Sequence, residues 1–283
     1  MFVEDRYQPY NVGLIILKEG ALVVDSPPRP ADARSWLREA QEVGGVIRYL
    51  VVTDAQPDHL LGAVNFDAVP LVAAEETARF LNELEDKEWQ ELLQEAQGRY
   101  PDAADELAKV KRRKVTFSTN CRMYLQRRNP PLELEVGAGA GPGSLWLFVP
   151  DEKVLFAGDT VALNTPPVME RTPDSKEWLN ALGALANRIS IQRIVPGRGP
   201  AVILRGELEP EREYLRVMRR TARTLARKGN AGEGLAQATN DIQQTFFPDA
   251  NKKSEKVQRI RRGLQRLVEE VLESQAAEQD EED

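Results

Sequence analysis

One histidine and one cysteine are all that 283 residues offer to imidazole and thiol chemistry. A lone cysteine, Cys121, excludes an intrachain disulfide and a cysteine-rich zinc knuckle. Long apolar runs are missing as well. No stretch approaches the roughly 18 apolar residues that a membrane span needs. The opening MFVEDRYQPY carries two acids early and lacks the basic-then-apolar pattern of a secretory leader. A cytoplasmic protein with no membrane partner is therefore expected. Charge of one sign does not dominate either. The net charge is −7, and much of it sits in the closing EQDEED from Glu278 to Asp283. The body is nearer neutral and argues neither for nor against a nucleic-acid partner.

What is present is ordinary for a globular chain: 41% apolar and 29% charged residues. The length suits one large α/β core or two smaller domains. Val12 to Leu17 and Ala21 to Val24 predict a β-hairpin turning at Gly20. Asp25-Ser26-Pro27-Pro28 stops it, and a helix is expected over about 31–43, with Trp36, Leu37 and Ala40 at helical spacing. Tyr49 to Val52 reads as a buried strand that delivers the chain to Thr53-Asp54-Ala55-Gln56-Pro57-Asp58-His59. Val69 to Val72 is a further strand, and residues 75–110 are expected to be a mostly helical insertion. Short β segments follow near 115–125 and 132–136. Gly137 to Gly143 is a loop by composition. A second hairpin is expected from Ser144–Val149 and Lys153–Ala157, then a helix over Ser175–Asn187 and a strand at Arg193–Val195. From Leu208 onward three helices near 209–228, 231–245 and 252–274 follow with no strand between them.

These pieces resemble the metallo-β-lactamase superfamily over roughly residues 8–215. The family motif HxHxDH, between a strand and a helix, corresponds to Asp54-Ala55-Gln56-Pro57-Asp58-His59. Its GHTPGS loop corresponds to Gly139-Ala140-Gly141-Pro142-Gly143-Ser144. LFAGDT stands intact as Leu155 to Thr160, and PGHGP appears as Pro196-Gly197-Arg198-Gly199-Pro200. Asp25 and the run Gly62 to Phe66 also look like the family. The resemblance implies an αββα sandwich, taken as residues 1–206; the helical pattern adds a C-terminal helical extension over 207–276, and the acidic composition of 277–283 predicts a disordered tail. It also implies a cleft formed by the loops that follow the strands.

In the family, two metals are held by five histidines and two aspartates. Carried over residue by residue, one metal site maps to Asp54, Gln56 and Ala140, none of them a histidine. The other maps to Asp58, His59, Asp159 and Arg198. Three of these keep a ligand type, but the guanidinium of Arg198 has no lone pair to give. Three readings follow. In the preferred one the cleft has no metal cofactor, and Arg198 supplies the positive charge that the carboxylates need. In the second, one divalent metal (Mn, Mg or Zn) sits on Asp58, His59 and Asp159. Arg198 then turns away, and Asp58 takes a catalytic role in ester, thioester or phosphoester hydrolysis. In the third the chain is a binding or interaction module, taking a small-molecule ligand in the cleft or forming a homodimer.

Several features have plainer explanations. Asp159 is also a common type of loop or cap aspartate. The glycine-rich loop lacks the Lys-Ser/Thr ending of a phosphate loop. Cys121 reads as a partly buried strand residue with no nearby base. Arg219, Arg220, Arg223, Arg227, Lys252, Lys253, Lys256, Arg259, Arg261 and Arg262 could line a nucleic-acid stripe. Their interleaving with glutamates favours solvated helix faces, so nucleic acid is not the expected partner. The stripe Val257, Ile260, Leu264, Leu267 and Val271 suits a second subunit or the chain's own core. The apolar residues of the insertion, Trp89, Leu92, Leu93 and Tyr100 among them, pack it down or make it a lid.

Overall fold

The computed structural model describes residues 2–4, 10–125, 129–228 and 231–280. Six strands form the first sheet: β1 (Phe2–Glu4), β2 (Val12–Leu17), β3 (Gly20–Val24), β4 (Ile47–Val51), β5 (Leu71–Ala74) and β6 (Phe117–Thr119). They lie in sequence order, antiparallel from β1 to β3 and parallel from β3 to β6. The second sheet holds β7 (Met123–Leu125), β8 (Leu132–Val136), β9 (Leu145–Val149), β10 (Val154–Ala162), β11 (Arg193–Arg198) and β12 (Ile203–Leu204), again in sequence order. Only β10 and β11 pair in parallel there.

The period-2 alternation of a strand sends its side chains to two different layers. Leu14 and Val23 join Trp36, Ala40 and Leu60 under the first helical layer, while Ile15, Leu22 and Val24 face the other sheet. In β9, Leu145, Leu147 and Val149 meet that same middle core, and Trp146 and Phe148 point to the opposite helical layer. Strands buried on both faces read as unbroken apolar runs, which is how β2, β3, β4 and β9 stood out in the sequence. The helices α1 (Pro30–Gly44), α2 (Pro57–Ala63), α3 (Glu75–Glu83), α4 (Asp86–Arg99) and α5 (Ala104–Leu107) belong to the first half of the chain. The outer layer on the second sheet contains α6 (Ser175–Asn187), α7 (Glu209–Lys228), α8 (Ala231–Phe246) and α9 (Glu255–Asp280). The predicted αββα sandwich with a helical C-terminal part is the observed architecture.

α6 starts where the sequence placed it because Asp174 accepts hydrogen bonds from the backbone N–H groups of Lys176 and Glu177. Asp174→Ala should cost about 1 kcal/mol of stability in urea denaturation, the usual loss for such a cap. Trp178 then fixes the helix to the sheet, donating its indole N–H to the Thr160 carbonyl at 2.9 Å.

Three local expectations are adjusted, and a fourth, left open between two outcomes, is decided. β10 and β11 run to Ala162 and Arg198, because their parallel pairing continues through Gly158↔Pro196 and Ala162↔Arg198. Cys121 is exposed and lies in the turn between β6 and β7, where neighbouring strands no longer cover it. α9 continues to Asp280, so residues 277–280 of the expected disordered tail are helical; 281–283 lie outside the described residues. That stretch follows Ser274-Gln275-Ala276, and its glutamate, glutamine and alanine residues sustain a helix well. The apolar stripe on α9 packs back on its own chain: Ile260, Leu264 and Leu267 are buried in the core beneath α6 and α7.

Several basic residues of the C-terminal helices face glutamates. Arg219 pairs with Glu270, Arg220 with Glu213 and Arg262 with Glu255. Among the described residues, no helix is long and apolar enough to cross a membrane.

Candidate active-site cleft

Four strands bring the site together. Asp54 and Gln56 lie in the loop after β4; Pro57 opens α2 with its fixed φ, and Asp58 and His59 occupy the first turn. Asp159 lies within β10 and Arg198 ends β11. The two strands approach closely because Gly197 has no side chain: a Cβ there would stand 2.3 Å from Asp159 Oδ1. Asp25, after β3, adopts φ 54°, a left-handed conformation costly for a non-glycine residue. It is held by the Thr53 N–H at 2.9 Å and the Thr53 hydroxyl at 2.7 Å.

All the sequence-predicted site residues converge here and are buried. Arg198 is 0% exposed. Its Nε donates to Asp159 Oδ2 at 2.7 Å and its Nη2 to Asp58 Oδ2 at 3.2 Å. The guanidinium lies over the Tyr10 ring, 4.7 Å from its centroid. Asp58 has two further partners: the Tyr10 hydroxyl at 2.9 Å and Arg99 Nη1 at 2.8 and 3.0 Å from its two oxygens. Tyr10 and Tyr100 share a 2.5 Å hydrogen bond. Burial alone would raise the Asp58 carboxyl, but Arg198 and Arg99 outweigh it and hold it below the usual carboxylate range.

His59 Nδ1 sits 2.7 Å from Asp54 Oδ1, and Nε2 lies 3.8 Å from Asp159 Oδ1. Burial pushes the imidazole pKa down. Asp54, Asp25 and Asp159, with the hydrogen bond to Asp54, overcome that and raise it to about 10. His59 is therefore an imidazolium at neutral pH, with both ring nitrogens protonated. The remaining predicted positions are also committed within the chain. Gln56 donates its amide to the Val168 carbonyl at 2.9 Å, and the Ala140 carbonyl accepts the Thr172 hydroxyl at 2.8 Å. Basic side chains stand among the three carboxyls: His59 beside Asp54, Arg198 between Asp58 and Asp159, and Arg99 on Asp58.

Arg99 and Tyr10 were not foreseen in the sequence, and Tyr100 was expected only to pack the insertion down or make it a lid. Arg99 ends α4 and Tyr100 follows it, so the helical insertion reaches the site itself. Tyr10 enters through an isolated bridge to Arg198, continued by Asn11 N–H to the Gly197 carbonyl at 3.0 Å. The rest of the insertion packs Trp89, Leu92, Leu93 and Leu107 around Leu61 of α2. The only sequence signal was a basic residue at the end of a helix beside a tyrosine, which by itself specifies no target.

Comparison with known proteins agrees with this architecture. The profile of the metallo-beta-lactamase superfamily matches residues 6–220, and the chain belongs to that superfamily. Among solved structures, a metallo-beta-lactamase family protein from Thermus thermophilus is similar over 98% of this chain and 94% of its own, at 16% identity and a TM-score of 0.68. That coverage takes in the C-terminal helices. A double mutant of a sec-alkyl sulfatase covers 94% of this chain and 48% of its own, at 14% identity and TM-score 0.64. A metallo-beta-lactamase from Pontibacter korlensis covers 73% and 87%, at 20% identity and TM-score 0.55. At these identities the likeness carries the fold alone. No curated protein sequence matches the chain.

Proposed function

We infer that this protein does not act as a two-metal hydrolase and is a metal-free binding or interaction member of the superfamily. The observation that carries this reading is the Arg198 guanidinium, fully buried and bonded to both Asp58 and Asp159. Two divalent ions need several neutral nitrogen donors and anionic oxygens aimed at common points. The residues present do not fit that requirement. Ala140 has no donor side chain, and Arg198 is a cation without a lone pair to give. Among the described residues, no group of three histidine, cysteine, aspartate or glutamate side chains is disposed to hold a metal.

The single-metal alternative asks Arg198 to swing away from Asp58 and Asp159. Its bonds to both weigh against that movement, since a charge leaving a fully buried pair costs several kcal/mol, on the order of 3–5. The chain itself supplies the positive charge. Arg198 bridges Asp58 to Asp159, Arg99 closes Asp58 from the insertion, and His59 neutralises Asp54 and faces Asp159. Tyr10 and Tyr100 cover this network. On this reading the old cleft is a sealed structural junction between the two sheets, and ligands meet the protein elsewhere.

The test is a panel of ester, thioester, phosphoester and β-lactam substrates, assayed with zinc or manganese added. The expected result is no turnover above the protein-free rate and no metal-induced rise in melting temperature. Chelator-sensitive turnover that disappears in Asp159→Asn would overturn the reading.

A further inference from the structure

The arginines of α7 fall into two rows along the helix, and the chain treats the rows differently. Arg212, Arg216 and Arg220 stand at four-residue steps and are neutralised on their own helix. Glu209 pairs with Arg212 and Arg216, and Glu213 with Arg216 and Arg220. Arg219, Arg223 and Arg227 form the second row, also at four-residue steps, so they share one face at intervals of about 6 Å along the axis. Arg219 pairs with Glu270 of α9 at 3.5 Å. Arg223 and Arg227 have no acidic partner among the described residues. Like charges one turn apart repel, and this row lacks the glutamates that quiet the other.

The unneutralised row lines a pocket of about 380 Å³ between the start of α6, the second half of α7 and the C-terminal part of α9. Lys176 of α6 lines it as well and has no ion pair among the described residues. Most of the acids in the wall are committed. Asp174 answers the positive end of α6, accepting the Lys176 and Glu177 N–H groups at 2.7 and 2.9 Å. Glu270 accepts the Ser175 hydroxyl at 2.8 Å and its N–H at 3.2 Å, and holds Arg219. Beyond these, Lys176, Arg223 and Arg227 face one acid, the exposed Glu278. Burial holds the Arg219 guanidinium below its usual range against the pull of Glu270, and the charge of Arg223 acts in the same direction as burial.

We propose that this pocket binds a dianionic phosphate group, with Lys176, Arg223 and Arg227 supplying the positive charge. Arginine forks match phosphate oxygens, and a lysine adds a compact point charge. Gln275 of α9 also lines the space, and its amide has no partner among the described residues. At about 30 Å³ per water molecule, the pocket has room for a phosphate with a small organic remainder. The ligand class is therefore a small phosphomonoester. A phosphodiester carries a single charge and would leave part of the surplus uncovered. The pocket shares no residue with the cleft around Arg198 and does not depend on whether a metal binds there.

The probe is inorganic phosphate, titrated calorimetrically into the full chain at mildly alkaline pH and constant ionic strength. Diethyl phosphate and succinate serve as controls for charge and for phosphate geometry. Phosphate should bind saturably with a Kd of about 1 mM or tighter, and both controls at least about fivefold more weakly. Arg223→Gln and Lys176→Gln should each weaken phosphate about fivefold, the effect of one exposed ion pair. Arg220→Gln, in the neutralised row, should leave the affinity unchanged. Without phosphate, Arg223→Gln should melt no lower than wild type, because it relieves repulsion and breaks no pair. No saturation below about 10 mM, equal binding of either control, or equal losses in Arg220→Gln and Arg223→Gln would overturn the proposal. A lower melting temperature of Arg223→Gln without phosphate would also count against it, by showing that Arg223 already serves the fold.

Discussion

Replacing Arg198 by methionine is expected to cost ~3–5 kcal/mol of folding stability, the usual penalty for removing one partner of a buried ion pair. Methionine keeps much of the volume, so the loss reports charge rather than a cavity. It leaves Asp159 without its 2.7 Å partner in a position with no access to water. Asp58 is protected in part, since Arg99 and Tyr10 still hold it. In thermal unfolding the loss should appear as a drop of roughly 10 °C for a chain of this size. The companion experiment is the double variant Arg198→Met/Asp159→Leu. Apolar residues of similar volume often replace a buried pair without loss, so the double variant should regain most of the stability. With the single variant Asp159→Leu added, the double-mutant cycle gives the coupling between the two side chains. A single variant that loses less than about 1 kcal/mol would mean that the guanidinium is not what holds Asp159, since such a loss is typical of an exposed pair.

The second large effect is a fall in stability with alkaline pH, centred on His59. Its pKa is raised in the folded chain to about 10, against about 6.5 for an unperturbed imidazole. Between these values the native state holds a proton that the unfolded state has released. Stability from this group is therefore complete below about pH 6.5 and is lost as pH rises towards 10. The change is on the order of a few kcal/mol, because one pKa unit corresponds to about 1.4 kcal/mol. Urea midpoints from pH 6 to 10 should decline for the wild type more steeply than for His59→Asn, which cannot titrate. Parallel declines would show that His59 is not charged in the fold. A neutral imidazole would also be free to act as a metal ligand, so this profile bears on the account of the cleft.

The order of the elements was legible in the sequence because both sheets are buried on two faces and their strands read as apolar runs between turn residues. The αββα arrangement came from motif fragments, above all Leu155–Thr160 and Asp58-His59, whose spacing is tied to strand ends. Arg198 could be singled out because it stands where a histidine belongs within Pro196–Pro200. Its partners were only half legible. Asp58 and Asp159 lie in the same motifs, whereas Arg99 and Tyr100 sit in an insertion without motif spacing, and Tyr10 precedes the first recognisable hairpin. Their meeting depends on how α4 packs on α2 and on a single bridge between Tyr10 and Arg198. Cys121 was misplaced for a related reason. A run that looks like one strand is broken at the turn between β6 and β7, and the turn exposes it. The end of α9 shows the reverse, where acidic composition suggested disorder but helix-forming residues extend the helix to Asp280.

The central claim is that protein cations take the place of metal between Asp58 and Asp159. The most direct measurement is elemental analysis of the wild-type chain, expressed in medium supplemented with zinc and manganese and purified without chelators. The account predicts metal far below one equivalent per chain, with no difference between wild type and Asp159→Asn. One equivalent or more that survives gel filtration and is absent from Asp159→Asn would contradict it.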